Sequence, residues 1–388
     1  MDPRVQSVYI HIPFCQQICH YCDFAKIIYN EKRGDRYIEA LANEINTQIK
    51  GKHKHVKTIF IGGGTPTALN LRQLRALMEL INKKFVVSNC EEFTIEANPG
   101  DFNSEKIKLL KDYGVNRVSL GVQVFDDAML QELGRLHRVK DVYRTIDLLH
   151  QQGIFNISID LIYALPNQTI EDFRHTVNEA IQFQLPHYST YALQIEPKTV
   201  FYQRYKKGKL HRVPQETEVV MYELLQKTMR DNGVLQYEIS NFAKPGFESR
   251  HNLTYWNNEY YYGFGAGAHG YLPGKRTGNI RPLPAYVKQA MKDGNPVLNT
   301  ETIGLKERIE EQMFLGLRKL AGISRHIFQE KLGLEMDTLY QTEINQLIQK
   351  GWLADDGDRI RLTDQGLLFG NEVFEKFLLD DDDLVHLY

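Results

Sequence analysis

The residues best suited to chemistry are the three thiols of Cys15-Gln16-Gln17-Ile18-Cys19-His20-Tyr21-Cys22, spaced C-x3-C-x2-C directly after the apolar stretch Ser7 to Phe14. Three thiolates can hold three irons of a four-iron cluster and leave the fourth iron open to an external chelator, which implies a bound substrate or cofactor. The spacing differs from the ferredoxin runs, whose fourth cysteine closes the cluster, and it lacks the paired-cysteine halves of a zinc ribbon. Further along stands Gly62-Gly63-Gly64-Thr65-Pro66, whose backbone amides and carbonyls can approach a ligand closely. No Lys-Ser/Thr follows it, so it is not a Walker loop, and alone it reads equally as a tight turn. Glu96, Gln123, Arg135 and Asp160 come later. Singly each reads as a cap or surface charge. Together they can ring a zwitterionic nucleoside, with carboxylates for ammonium or ribose, an amide for hydroxyls and a guanidinium for carboxylate.

The elements that must position these residues follow from hydrophobic periodicity. Strands are expected at 8–12, 56–61, 92–97, 117–122, 156–162 and 187–193, alternating with helices at 35–49, 71–81, 104–113, 140–151 and 170–183. Thr169 with Asp172 makes a capping box for the last helix. Six strands alternating with helices argue an α/β fold with a parallel sheet, and right-handed crossovers curl it toward a partial barrel. The glycine run and the four polar residues fall at or after strand C-termini, where such a barrel carries its site.

Composition sets the outer bounds. The 388 residues are 42% apolar and 25% charged, ordinary for a globular chain of two or three domains. Of four cysteines, Cys90 stands apart from the trio, so no disulfide framework suggests itself and a reducing compartment fits. Met1-Asp2-Pro3-Arg4 does not begin a signal peptide and no run approaches a membrane span, so a cytoplasmic protein is expected. A formal charge of −2 gives no general case for nucleic-acid binding. A homodimer and peripheral membrane contact stay open.

The segments Tyr9-Ile-His-Ile-Pro-Phe-Cys15, the cysteine trio, Gly-Gly-Gly-Thr-Pro, Glu96-Ala97-Asn98-Pro99, Gly121-Val122-Gln123 and Asp160-Leu-Ile-Tyr-Ala-Leu-Pro166 together resemble the oxygen-independent coproporphyrinogen III oxidase family of radical S-adenosylmethionine (SAM) proteins, over nearly the whole chain. The resemblance implies a radical SAM partial (β/α)6 barrel with a haem-associated extension over residues 1–300, and a [4Fe-4S] cluster on Cys15, Cys19 and Cys22. It implies SAM chelating the open iron through its methionyl amino and carboxylate groups, ready for reductive cleavage to a 5′-deoxyadenosyl radical. Gly63, Gly64 and Thr65 would then contact the methionyl group. Glu96, Gln123, Arg135 and Asp160 would hold the amino acid and ribose, Tyr21 would flank the cluster and adenine, and Tyr9 would belong to the same cofactor site.

Within that family the true oxidases resemble C-x3-C-x2-C-x-C preceded by an N-terminal arm. Here Phe24 follows Asp23 and the first strand begins almost at once. Cys22-Asp23-Phe24 instead resembles the HemW branch, whose members are similar to haem chaperones that pass haem to acceptor haem proteins. His251-Asn252-Leu253-Thr254-Tyr255-Trp256 matches that branch's haem-associated HNxxYW pattern. His251 is therefore expected to ligate haem iron from a loop, with Ser249-Arg250 near the propionates and Tyr255 and Trp256 as an aromatic floor. Conversion of coproporphyrinogen to protoporphyrinogen is the second function considered, and a SAM- or redox-sensing regulator the third.

Gly265-Ala-Gly267-Ala-His-Gly270 matches the GxGxxG pattern, but Pro273, Gly274 and Gly278 argue against the helix a dinucleotide site needs. It is read as a glycine-rich turn near the porphyrin or SAM site, with His269 a minor ligand candidate. Arg281-Pro282-Leu283-Pro284 and Asn295-Pro296 suggest a linker. Beyond it, residues 301–388 read as a C-terminal winged-helix-like α+β domain: helices over 306–320, 324–331 and 337–350, then a hairpin turning at Asp356-Gly357. No basic recognition helix stands out, so a packing or partner-binding role is expected, and the Asp380 to Asp383 run is expected to be a solvated tail.

Overall fold

A computed structural model describes residues 5–51 and 54–380. The four N-terminal residues and most of the acidic run ending at Asp383 lie outside the described residues. The main sheet contains twelve strands. In chain order they are β1 (Ser7–Ile12), β2 (Thr58–Gly63), β3 (Glu92–Ala97), β4 (Arg117–Gln123), β5 (Ile157–Tyr163), β6 (His187–Ala192), β7 (Leu235–Glu238), β8 (Asn241–Ala243), β9 (Tyr261–Phe264), β10 (His269–Leu272), β11 (Lys275–Asn279) and β12 (Val297–Thr302). Their spatial order is β12-β11-β10-β9-β1-β2-β3-β4-β5-β6-β8-β7.

The parallel heart of the sheet is the one expected from the alternating pattern. β1 to β6 pair in sequence order, and each is joined to the next by a segment containing at least one helix. The inner positions of β1, Val8, Ile10 and Ile12, are fully buried, as are Ile59 and Ile61 of β2. Helix Leu71–Lys84 presents Leu74, Leu77, Met78 and Ile81 to the same core. The first helix starts a turn earlier than its apolar periodicity indicates, at Glu31, because the Asn30 side chain accepts a hydrogen bond from Arg33 N and caps it. The Thr169–Asp172 capping box forms as expected.

The second half of the sheet differs from expectation. β9 adds to β1 as a parallel strand, and β10, β11 and β12 continue the sheet antiparallel from it. The glycine-rich run between β9 and β10 is a turn, with Gly265 and Gly267 at positive φ. The expected linker at 281–296 is instead a helix, Leu283–Asp293, followed by β12. Its prolines mark a helix start: Pro282 is the N-cap and Pro284 lies in the first turn, where a missing N–H costs nothing. Gly294, at φ 71°, ends it against Thr47.

A second core is built from Ile309, Met313, Leu317, Phe328, Tyr340, Ile344 and Leu347 on helices Leu305–Leu317, Arg325–Leu332 and Met336–Gln349. The strands Leu353–Asp355 and Arg359–Leu362 form the wing hairpin, and Ile323–Ser324 pairs with the latter. This module is joined to the sheet by Leu320 N donating to Tyr237 O at 3.0 Å and by Lys319 Nζ donating to Asn257 Oδ1 at 2.5 Å. No helix among the described residues is long and apolar enough to cross a membrane.

Candidate functional site

The cysteine loop leaves the C-terminal end of β1, and all three of its thiols are free. Cys15 is buried on a two-residue strand, Phe14–Cys15, that pairs with Ile27–Ile28, so the loop is closed at its base. His20 N donates to Leu133 O at 2.9 Å and Phe201 N donates to His20 O at 3.0 Å, which fixes the loop from its other side. Hydrogen-bond donors converge on the sulfurs. Thr65 Oγ1 donates to Cys15 Sγ at 3.7 Å, and Arg135 Nη1 to Cys19 Sγ at 3.4 Å. Burial pushes the Cys15 thiol up to about 11 and also raises Cys22; the three thiols feel one another electrostatically. Metal binding would therefore release protons here.

The glycine run ends β2 beside this loop. Gly63 has φ 110°, and a Cβ on it would sit 2.3 Å from the His11 ring; one on Gly64 would sit 2.7 Å from Phe14 O. Only glycine lets the two strand ends approach so closely. Gly64 N donates to Ile12 O at 2.9 Å and Thr65 N to Phe14 O at 2.6 Å, while Gly63 N donates to Glu96 Oε2 at 2.8 Å. Burial, then the Asp160 charge, lifts Glu96 to about 7, and the Gly63 amide partly offsets this. Burial likewise lifts Asp160 to about 6 against the hydrogen bond from Ser119 Oγ, 3.1 Å away.

Gln123 and Arg135 close the ring. Gln123 takes φ 72° at a register shift in β4, which turns its amide toward Arg135 and Asn98. Arg135 Nη2 donates to Asn98 Oδ1 and to Gly121 O, both at 2.5 Å, and Asn98 in turn donates to Thr65 Oγ1 at 3.0 Å. Burial disfavours the Arg135 charge, but Tyr21 and Cys19 beside it more than offset that, and its pKa is raised. Gly63, Gly64 and Thr65 thus lie at the C-terminal end of β2 and Glu96 and Gln123 at those of β3 and β4, with Asp160 midway along β5 and Arg135 and Tyr21 on loops beside them. His11, Asn98 and Ser119 join them. The first two stand inside quoted sequence segments, yet nothing in residue type separated them from their neighbours.

A cavity of about 600 Å³ opens from this ring, lined by Tyr9, His11, Gly63 and Glu96 at its inner end and by Phe24, Tyr255, Tyr261, His269 and Arg281 farther out. The Arg250–Trp256 segment is a helix, not the expected loop. Ser249 caps it, and Glu92 Oε1 and Oε2 accept from His251 N at 3.1 Å and Arg250 N at 2.8 Å. The His251 imidazole is buried and stacked on Phe60 at 5.2 Å. Its Nδ1 bonds Thr58 Oγ1 at 2.8 Å and its Nε2 bonds the Tyr255 hydroxyl at 2.8 Å. Burial lowers its pKa to about 3, so it is a neutral ring with both nitrogens engaged. It presents no lone pair to the cavity in this conformation; it holds Tyr255 instead. Trp256 lines a second cavity of about 390 Å³ against Tyr271, Arg276 and Phe314, with Tyr255 and Tyr261 as the wall between the two.

The donor set fits an iron–sulfur cluster: three free, adjacent thiols with hydrogen-bond donors aimed at two of the sulfurs. No three His, Cys, Asp or Glu side chains among the described residues are gathered for a single metal ion. A cube, by contrast, asks each thiolate for a different iron.

The Radical SAM superfamily profile matches residues 9–180, and that of the HemN C-terminal domain matches residues 303–369. A Bacillus subtilis (strain 168) protein named heme chaperone HemW is 49% identical over 96% of this chain and 99% of its own length. The heme chaperone HemW of Lactococcus lactis is 46% identical over 98% of this chain and 99% of its own. The solved structure of coproporphyrinogen III oxidase (HemN) from Escherichia coli superposes with a TM-score of 0.85 at 22% identity, over 97% of this chain and 91% of that one; at that identity the likeness is one of fold.

Proposed function

The chain belongs to the HemW family, and from that premise we propose that it is a haem chaperone: it binds haem in the cavity beyond the cysteine loop and passes it to acceptor haem proteins. The observation that carries this reading is the joining of two environments in one cavity. Its inner end is polar, with Glu96 and the glycine run, and its outer end is aromatic, with Phe24, Tyr255 and Tyr261. A flat apolar macrocycle with acidic side arms suits the outer end, where Arg281 offers a guanidinium to a propionate.

Cys15, Cys19 and Cys22 would hold a [4Fe-4S] cluster, and SAM would chelate its open iron, supplying a latent radical source. The chain's own residues would bind and orient that cofactor. Gly63, Gly64 and Thr65 lie where a methionyl group would pass, Glu96 is placed to accept from its amino N–H groups, and Arg135 with Gln123 and Asp160 for carboxylate and ribose. Tyr9 bonds His11 Nδ1 at 2.9 Å and stacks on Phe60, which fixes the wall between the cofactor ring and the His251 helix. Phe24 stands exposed on the cavity wall beside Asp23, at the place where the oxidases resemble a fourth cysteine. That position favours haem handling over decarboxylation of coproporphyrinogen.

One anaerobic preparation tests the proposal. It should bind haem with a shifted Soret band, transfer the haem to an apo-acceptor protein, and leave coproporphyrinogen unconverted with SAM and reductant. Efficient formation of protoporphyrinogen would replace the chaperone assignment with the oxidase one.

A further inference from the structure

We propose that His269, not His251, supplies the iron ligand for haem; the assignment rests on the haem-chaperone reading and deepens it. Three histidines lie in or beside the large cavity and its wall. His11 bonds Tyr9 and, through Nε2, Ala25 O at 2.7 Å, so both its nitrogens are engaged. His251 is engaged at both nitrogens and buried beneath Phe60. His269 is exposed, lines the cavity, and forms no side-chain hydrogen bond among the described residues. An imidazole ligates iron through a ring nitrogen's free lone pair, and among the described histidines on this cavity and its wall His269 alone has no side-chain hydrogen bond.

The fold holds that ring in place from both sides. β10 begins at His269, and its carbonyl presses so closely on β9 that a Cβ at Gly263 would lie 1.8 Å from it. Across the β10–β11 ladder His269 faces Gly278, and a Cβ there would come within 3.2 Å of the imidazole. Glycine at both neighbours lets the backbone of β9 approach His269 and leaves room for its ring beside Gly278. Tyr255 and Tyr261, packed edge to face at 4.8 Å, stand on the same cavity, and Phe24 forms an exposed apolar wall. Arg281 reaches Asp23 O on the cysteine loop and lines the cavity as well, within reach of an anionic side arm. A cation, an aromatic wall and a ligand with an open lone pair are what a haem with two propionates requires. The coordinate bond needs no redox step: the imidazole nitrogen donates its pair to iron in place of a water or buffer ligand.

The test is a haem titration of the full chain with its cluster reconstituted, read as difference absorption in the Soret region. The parent should show a histidine-ligated spectrum. His269→Ala should lose that spectrum and bind haem about tenfold more weakly or worse, with cluster iron and sulfide unchanged, and added imidazole should restore the band. His251→Ala, which releases Tyr255, should keep the Soret position of the parent. If His269→Ala keeps the parent spectrum while the parent binds haem, the ligand assignment is overturned and the chaperone reading stands. If the parent itself binds no haem, both fall together.

Discussion

Cys19 is half-exposed and accepts from Arg135, whereas Cys90 sits just before β3 with its thiol donating to Lys57 O and Glu92 O, and burial raises its pKa to about 12. Cys19→Ser should therefore lose most iron and sulfide after anaerobic reconstitution, and Cys90→Ser should lose neither; equal content in the two variants would remove the cluster from this loop. A second prediction belongs to Glu96 and Asp160, whose carboxyls are lifted to about 7 and about 6 in the protein without ligands. A carboxyl raised on folding keeps a proton that the unfolded chain has released. Its contribution is fully present below the unfolded value, near 4.5 for Glu96, and is lost as pH rises through about 7. Stability of the ligand-free protein should fall over that window, and Glu96→Gln should flatten the fall, as denaturant midpoints across the range will show. An amine bound to iron donates its N–H groups best to an ionised carboxylate, so SAM affinity should show a rise with pH centred near 7 in the parent that is lost in Glu96→Gln. A titration flat in pH for the parent would separate Glu96 from the methionyl amine.

At the scale of elements, one buried carboxylate reinforces the β1–β9 pairing that joins the antiparallel extension to the barrel. Glu44, on helix Glu31–Gln48, accepts from Gly265 N at 2.9 Å, Asn279 Nδ2 at 2.6 Å and the Tyr286 hydroxyl at 2.5 Å. It joins the glycine turn, β11 and helix Leu283–Asp293 in one stroke. Glu44→Ala would take an acceptor from all three and leave Gly265 N and the Tyr286 hydroxyl with none, at a cost of about 1–3 kcal/mol each, while Asn279 Nδ2 keeps its bond to Gly265 O at 2.9 Å. We expect a clear drop in the denaturant midpoint and loss of haem binding, since β10 and β11 carry His269 and frame the cavity. Retained stability would mean that water or a neighbouring group satisfies the three donors. The pair of prolines at 282 and 284 teaches the complementary lesson: proline in the first turn starts a helix as readily as it fills a linker, and only packing against helix Glu31–Gln48 decides between them.

At the scale of the molecule, the C-terminal module touches the Arg250–Trp256 helix directly. The Arg318 guanidinium lies over the Trp256 ring at 4.5 Å, and Lys319 bonds Asn257 just beyond the helix. Together these contacts are worth about 1–3 kcal/mol. Replacing both residues by Ala should loosen the module, so that calorimetry resolves an early transition where the parent gives one, while cluster content is kept. A single unchanged transition would show that the remaining contacts, Leu320 N to Tyr237 O, the Arg276–Glu311 ion pair and Lys331 to Asn257 O, suffice to couple the two cores.

The alternating pattern from Val8 to Leu193 determined the parallel sheet by itself, because strands buried on both faces and helices with one apolar face leave a strong period in the sequence. The thiol spacing and the glycine run were equally legible, since few residue types can do their work. β7 to β12 were not legible: most are short, they carry Tyr, Gly, Asn and Thr in place of an alternating apolar run, and they become strands only because the edges of the parallel sheet supply partners. The sequence likewise singled out His251 by its motif. Tertiary structure then placed its ring between Phe60, Thr58 and Tyr255, and left His269 facing the cavity with an open nitrogen. Which histidine keeps a free lone pair depends on neighbours brought from distant strands, and no local spacing encodes that.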